Sequence, residues 1–399
     1  MFQASVELYK NAYSGLSKQM WWLAFVVFIN RSGTMVIAFL TVYLTYKGYS
    51  LAQAGYVMGA FGLGSFIGGY LGGRLTDKYG HFYVQVFSLL LNGILFIVLG
   101  QMHTIWQIAI CIFILSSLGE AFRPANSAAI AAYSNDTNRT RGYSLNRLAI
   151  NLGWAVGPAI GGILAYTSYS LLFWADGITC ILASILLFVV LPPSKNIVVK
   201  THHEKPLLTT SAYKDKIFLQ GMFCIFLIGV CFFQIFSILP VYFKDQLHLN
   251  EKTIGWMLAM NGLIIAAIEM VLVYKLENRR NGLAYIIAGS LLIGASFLML
   301  NIKPGFSMAL LSIIVITFGE MLLFPFMNNF WVKRSNENNR GQYAAVYTMS
   351  FSAAIVLAPT LASQIATLFS FTTLWVINFI VCSFAALGFL LLKKRMSDD

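Results

Sequence analysis

Twelve apolar runs, each near the length of a membrane-crossing helix, leave this 399-residue chain few ways to fold. They fall at 20–45, 51–73, 82–101, 105–133, 142–166, 169–191, 217–243, 253–275, 282–301, 306–332, 342–368 and 371–392. About 20 apolar residues cross the hydrocarbon as a helix, which satisfies its own backbone where water is absent. Most connections are short, so successive helices are expected to be neighbours. The exception is 192–216, a polar linker at the chain midpoint. It separates an expected six-helix bundle at 20–191 from a second at 217–392. Residues 1–19 read as an interfacial segment carrying Lys10 and Lys18, and 393–399 as a tail.

Composition says what surrounds these runs. Hydrophobic residues make up 58% of the chain and charged residues 11%, against roughly 25% charged in soluble domains. Most of the surface therefore faces lipid, and the fold class is an all-α membrane protein. The net charge of +12 does not point to nucleic acid, because the basic residues are spread over short loops rather than gathered in one patch. Loops on one side, with both termini, hold about 20 Lys and Arg; the other side holds about four, Lys47, Lys244, Lys252 and Lys303. That bias places both termini in the cytoplasm. Cys111, Cys180, Cys224, Cys231 and Cys382 all lie in apolar runs without ligand-like pairing, and His202 and His203 stand in the linker. No metal site is expected.

The chain also matches itself about 200 residues apart. Gly119-Glu120 followed by Pro124 recurs as Gly319-Glu320 followed by Pro325. Tyr43 with Gly55 recurs as Tyr242 with Gly255, and Arg141-Gly142 as Arg340-Gly341. Two similar halves of a very apolar chain suggest a transporter built from parallel repeats, with its site between them.

Between spans two and three the chain reads Gly72-Gly73-Arg74-Leu75-Thr76-Asp77-Lys78-Tyr79-Gly80-His81. This resembles the signature of the major facilitator superfamily, with Gly73, Leu75, Asp77, Lys78 and Gly80 matching and His81 replacing the final basic residue. Span five carries Gly153, Gly157, Pro158, Gly161 and Gly162, similar to a pattern in that superfamily's drug/proton antiporters. The resemblance covers essentially the whole chain. It implies two pseudo-symmetric bundles around a central cavity lined by spans one, four, seven and ten. It also implies a cytoplasmic clasp at Asp77 that holds the outward-open state. Glycine packing of span five against span eight is a further expectation. Span ten resembles both some drug antiporters and the proton-coupled peptide symporters. The peptide symporters' acidic motif of span one is incomplete, with Val27 and Asn30 at its acidic positions before Arg31. Phe236 stands where some exporters place an acid in span seven, with Gln234 two residues earlier.

Removing loop charges leaves Arg31, Glu120, Arg123, Arg147, Asp176, Glu269 and Glu320 inside apolar spans. Each costs on the order of 2.5–3.5 kcal/mol at a helix centre unless paired or wetted. Glu120 and Arg123 are three residues apart and can pair on one face. Glu320 has no basic residue at helical spacing in its own span, and low-dielectric surroundings favour the protonated acid. Glu320 and Glu120 are the expected proton-coupling groups. Arg31, Arg123, Asn30, Gln234, Asn261, Asn328 and Phe236 are the expected cargo contacts. Arg147 reads as a gate residue and Asp176, on a supporting helix, as a structural hydrogen-bonding group.

The expected activity is proton-coupled transport by alternating access. The leading reading is efflux of amphiphilic, drug-like molecules by proton antiport; the alternative is symport of peptides or a related polar metabolite. No nucleophile–base set or nucleotide loop is visible, so an enzyme is not expected. The expected partners are a small-molecule substrate, protons and the lipid bilayer. No cofactor beyond the proton gradient is expected, and the protein is expected to act as a monomer in a bacterial cytoplasmic (inner) membrane.

Overall fold

A computed structural model describes residues 15–134, 139–193, 211–276, 281–335 and 339–398, and these are helical almost throughout. Most of the expected interfacial segment and most of the linker, with His202 and His203, lie outside the described residues. Among the described residues, eleven helical segments are long and apolar enough to cross a membrane. The remaining expected span, 253–275, is one continuous helix, Glu251–Leu276, interrupted chemically by buried Glu269.

Two spans are broken. Span one is a pair of helices, Lys18–Ser32 and Met35–Tyr46, separated at Gly33-Thr34. Span seven runs as Lys216–Phe232, tightens into a 3-10 turn at Phe233–Phe236, and resumes at Leu239–Asp245. Pro240 sits in the first turn of that last helix, where its missing N–H costs nothing. By contrast Pro124, Pro158, Pro325 and Pro359 all lie inside continuous helices.

The helices form two compact units. One comprises Met1–Val36 and Leu63–Val199. Its core joins Leu23, Val26 and Val27 of span one to Phe82 and Leu89 of span three, Phe122 of span four and Leu187 of span six. Without water to expel, such helices associate by close packing, which rewards small residues at the contact. Span two illustrates this. A Cβ on Gly72 would lie 2.5 Å from the Ala121 Cα, and Gly64 and Gly68 press equally closely on Phe113 and Ser117 of span four. The signature segment is not a loop: helix Leu51–Tyr79 carries Gly73, Asp77 and Lys78 in its last turns, and a Cβ on Gly73 would meet nothing. Only Gly80, at φ +81°, makes the turn into the next helix.

The other unit comprises Ile37–Gly62 and Lys200–Asp399. The hairpin 37–62, read from sequence as part of the first bundle, groups here. Its glycines meet span eleven: a Cβ on Gly55 would lie 2.7 Å from the Ser363 Cβ, and one on Gly62 2.7 Å from the Val356 Cα. Thr360 Oγ1 donates to the Gly55 carbonyl at 3.3 Å, and Gln364 Nε2 to the Tyr56 hydroxyl at 2.8 Å. Fully buried Trp375 anchors this unit, stacking on Phe297 at 5.2 Å and meeting Tyr242 edge-on at 5.3 Å.

Candidate functional site

In the first unit the break in span one organises the polar groups. Met35 and Val36 open the second helix of that span, and their N–H groups have no intrahelical acceptor. Asp176 of span six accepts both, at 3.1 and 2.7 Å, and is wholly buried. A carboxylate at a helix N-terminus is favoured by both the hydrogen bonds and the dipole. One turn further along span six, Thr179 sits against Gly33 so closely that no side chain could replace that glycine's hydrogen. Asn30, just before the break, is buried and donates to the Cys180 sulfur at 3.6 Å.

Arg31 stands beside that break, and its Nε is buried without a hydrogen-bond partner. Span five crosses directly over it. A Cβ on Gly153 would lie 2.5 Å from the Arg31 Cβ, one on Gly157 3.0 Å from the Ser32 carbonyl, and one on Gly161 2.9 Å from the Met35 Cβ. This glycine row of span five therefore seats on span one. Its i, i+4, i+8 spacing keeps all three on one face. Gly162 and Pro158 are buried in the same stretch.

Glu120 and Arg123 form the expected pair at 3.1 Å, with side-chain exposures of 18% and 65%. An ion pair with one partner this exposed is worth at most about 1 kcal/mol. Arg147 is exposed on span five. Asp77 is also exposed, and among the described residues of its unit it holds no hydrogen bond or ion pair. A buried amide chain went unnoticed in the sequence: Gln85 donates to Asn126 at 3.3 Å and Asn126 to Asn146 at 2.9 Å, linking spans three, four and five.

In the second unit Glu320 lies half-buried on span ten. Asn261 of span eight donates to its Oε2 at 3.2 Å and to the Thr317 hydroxyl at 2.9 Å, while the Thr317 hydroxyl donates back to the Ile313 carbonyl. Phe324, Asn328 and Trp331 continue the Glu320 stripe along one face of the helix. From Phe324 a chain of ring contacts spreads over three spans. Phe236 meets Phe232 at 6.2 Å, Phe232 meets Phe324 at 5.0 Å, and Phe324 meets Phe351 at 5.7 Å. Phe351 then meets Tyr347 at 4.9 Å, and Tyr347 meets Trp331 at 5.9 Å. Asn328 is exposed and accepts from the Trp331 indole at 3.3 Å. Phe236, named from sequence, is thus one end of a larger aromatic surface that runs through Phe232, Phe324, Phe351 and Tyr347 to Trp331.

Gln234 has a different occupation from the ligand contact expected of it. It is 2% exposed and exchanges both amide hydrogen bonds with Asn378 of span twelve, at 3.0 and 2.8 Å. This strap holds the broken span seven. Its signal was present in the repeat: Asn378 follows Asp176, and Cys382 follows Cys180, at the spacing that relates the halves.

At the linker end of this unit Asp215 caps the helix of span seven through the Phe218 N–H at 3.0 Å. It also takes two hydrogen bonds from Arg334, at 2.9 and 3.0 Å, and one from the Tyr343 hydroxyl at 2.9 Å. Burial alone would raise the Asp215 carboxyl, but the bonds from Arg334, Phe218 and Tyr343 outweigh it and hold the group below the usual range. Gln342 accepts from the Ser211 hydroxyl and the Ala212 N–H, fastening the end of the linker to span eleven.

The Major Facilitator Superfamily model matches residues 20–359. Among curated relatives, a Na(+), Li(+), K(+)/H(+) antiporter of Planococcus maritimus is 23% identical over 83% of this chain and 85% of its own length. The quinolone resistance protein NorA of Staphylococcus aureus (strain MSSA476) is 24% identical over 81% and 83%. Among solved structures, a POT family transporter in complex with a thioalcohol-conjugated peptide superposes with a TM-score of 0.80 at 15% identity, covering 96% of this chain and 97% of that one. A point mutant of the nucleoside transporter NupG superposes with a TM-score of 0.76 at 14% identity, over 94% and 100%. At these identities the structures speak for the fold, which is the twelve-helix fold expected from the spans. This integral membrane protein belongs to the major facilitator superfamily of transporters.

Proposed function

We propose that this transporter exports amphiphilic, drug-like molecules across a bacterial cytoplasmic membrane in exchange for protons. The observation that carries the reading is Glu320 at the head of the aromatic surface on spans seven, ten and eleven. A cargo with a ring system and a positive charge would find π-faces for the one and a carboxylate for the other. Asn261 suits a group that changes protonation. Its amide donates to the carboxylate and, turned over, accepts from the acid, so Glu320 keeps a hydrogen bond in both states. Glu120 is the accessory coupling group, held by Arg123. The names of the relatives lean the same way, one a cation/proton antiporter and one a quinolone resistance protein. The proton gradient is the energy source, no cofactor takes part, and the working unit is a monomer with cytoplasmic termini.

A second reading, proton-coupled import of peptides or a related polar metabolite, has one observation in its favour. The buried Arg31 Nε has a donor without a partner, and a guanidinium recognises carboxylates well. The test is the purified protein in liposomes with an imposed pH gradient, offered a lipophilic aromatic cation or di- and tripeptides. Gradient-driven cation movement, with peptides inert, supports export. Proton entry driven by peptides without cation movement overturns it in favour of the second reading.

A further inference from the structure

Away from the site above, spans seven and twelve carry matching stripes on their lipid side. Lys216, Gln220 and Phe223 follow one another at helical spacing on span seven, as Phe384, Gly388, Leu391 and Arg395 do on span twelve. Between them runs a groove of about 430 Å³. Its rims, Phe223 and Phe384, are 55% and 59% exposed, while Cys224 and Leu392 at the floor are 6% and 2% exposed. Gly388 brings the two helices together there, since a Cβ would lie 2.6 Å from the Cys224 sulfur.

The groove is apolar along its length and polar at one end only. There Arg395 donates through Nη1 to Gln220 Oε1 at 3.3 Å, with both residues exposed, and Lys216 stands one turn beyond Gln220. The loop charges make this the cytoplasmic end. A slot for hydrocarbon that ends in two cations at the membrane surface matches one kind of molecule. A neutral lipid would leave the cations unanswered, and a soluble anion would leave the apolar slot unused. Arg395 spends one of five N–H donors on Gln220, and its planar fork suits a phosphate. We propose that the groove seats one acyl chain of an anionic phospholipid, with the phosphate held between Arg395 and Lys216.

Native mass spectrometry of the full-length protein tests this, with phosphatidylglycerol and phosphatidylcholine of identical chains added in detergent. Retention should favour phosphatidylglycerol by roughly tenfold or more, and Lys216→Gln with Arg395→Gln should erase that preference. Both changes lie at the polar end of the groove and leave the helix contact at Gly388 intact. Independently, Phe223→Trp places an indole at the rim. Brominated-chain phosphatidylglycerol should quench it more strongly than brominated-chain phosphatidylcholine. Equal retention and equal quenching by the two lipids would overturn the proposal, as would a preference unchanged in the charge-removed protein.

Discussion

The two halves mend the same defect with different chemistry. Span one is broken at Gly33-Thr34 and pinned by an ionisable group, Asp176, on two backbone N–H donors. Span seven is broken after Phe236 and strapped by a neutral pair, Gln234 with Asn378. The mid-span glutamates follow the same division. Glu120 is bonded to Arg123, a permanent charge on its own helix, whereas Glu320 takes a hydrogen bond from the amide of Asn261. The lesson is that a repeat can keep a carboxylate in both halves and still set different chemistry around each.

The contrast is broken most severely at the carboxylates. Glu320→Gln should abolish gradient-driven transport while cargo binding persists, and Glu120→Gln should only slow it, as measured by cargo accumulation in liposomes. If both variants behave alike, the halves are functionally equivalent and the distinction falls. Next comes the pin in span one. Asp176→Asn leaves one acceptor oxygen for two backbone N–H groups, and stranding a buried donor costs about 1–3 kcal/mol. A large fall in melting temperature in detergent is expected; a loss under about 1 kcal/mol would show that the N–H groups find other acceptors.

The neutral strap should respond less, and in a different pattern. Gln234→Leu or Asn378→Leu alone strands the partner amide at a cost of about 1–3 kcal/mol, whereas the double change removes both and costs less than the sum. Simple additivity in a thermal double-mutant cycle would mean that the two amides act independently. The smallest effect concerns Asp215, whose carboxyl is held below its ordinary value in the folded protein. A depressed group adds stability above the unfolded value, roughly 3.9, and loses it as pH falls through the folded one. Wild type should exceed Asp215→Asn by about 1 kcal/mol at neutral pH, with the gap closing below about pH 4. A gap that persists in acid would assign the effect to packing rather than charge.

Much of this was legible before any coordinates. Apolar runs mark the spans because lipid tolerates little else, and the Glu120–Arg123 pair follows from helical spacing alone. The repeat drew attention to Glu320. What stayed hidden depends on contacts between helices distant in sequence. Nothing near Gly33 says that a carboxylate some 140 residues later will receive the Met35 and Val36 N–H groups. Gln234 read as a cargo contact because a polar residue in an apolar run invites that guess; its partner Asn378 lies 144 residues away. The seat of the span-five glycine row on span one was hidden for the same reason, since a smooth helical face does not name what it fits.

The central claim is that Glu320 carries the coupled proton, and the direct measurement is proton movement itself. A pH-sensitive dye inside liposomes, with no imposed gradient, would record acidification or alkalinisation when a lipophilic aromatic cation is added. Exchange of labelled for unlabelled cation would be followed in the same preparation. Wild type should show cargo-dependent proton movement, and Glu320→Gln should show none while exchange continues. Proton movement at the wild-type rate in Glu320→Gln would contradict the account and move the coupling to another carboxylate.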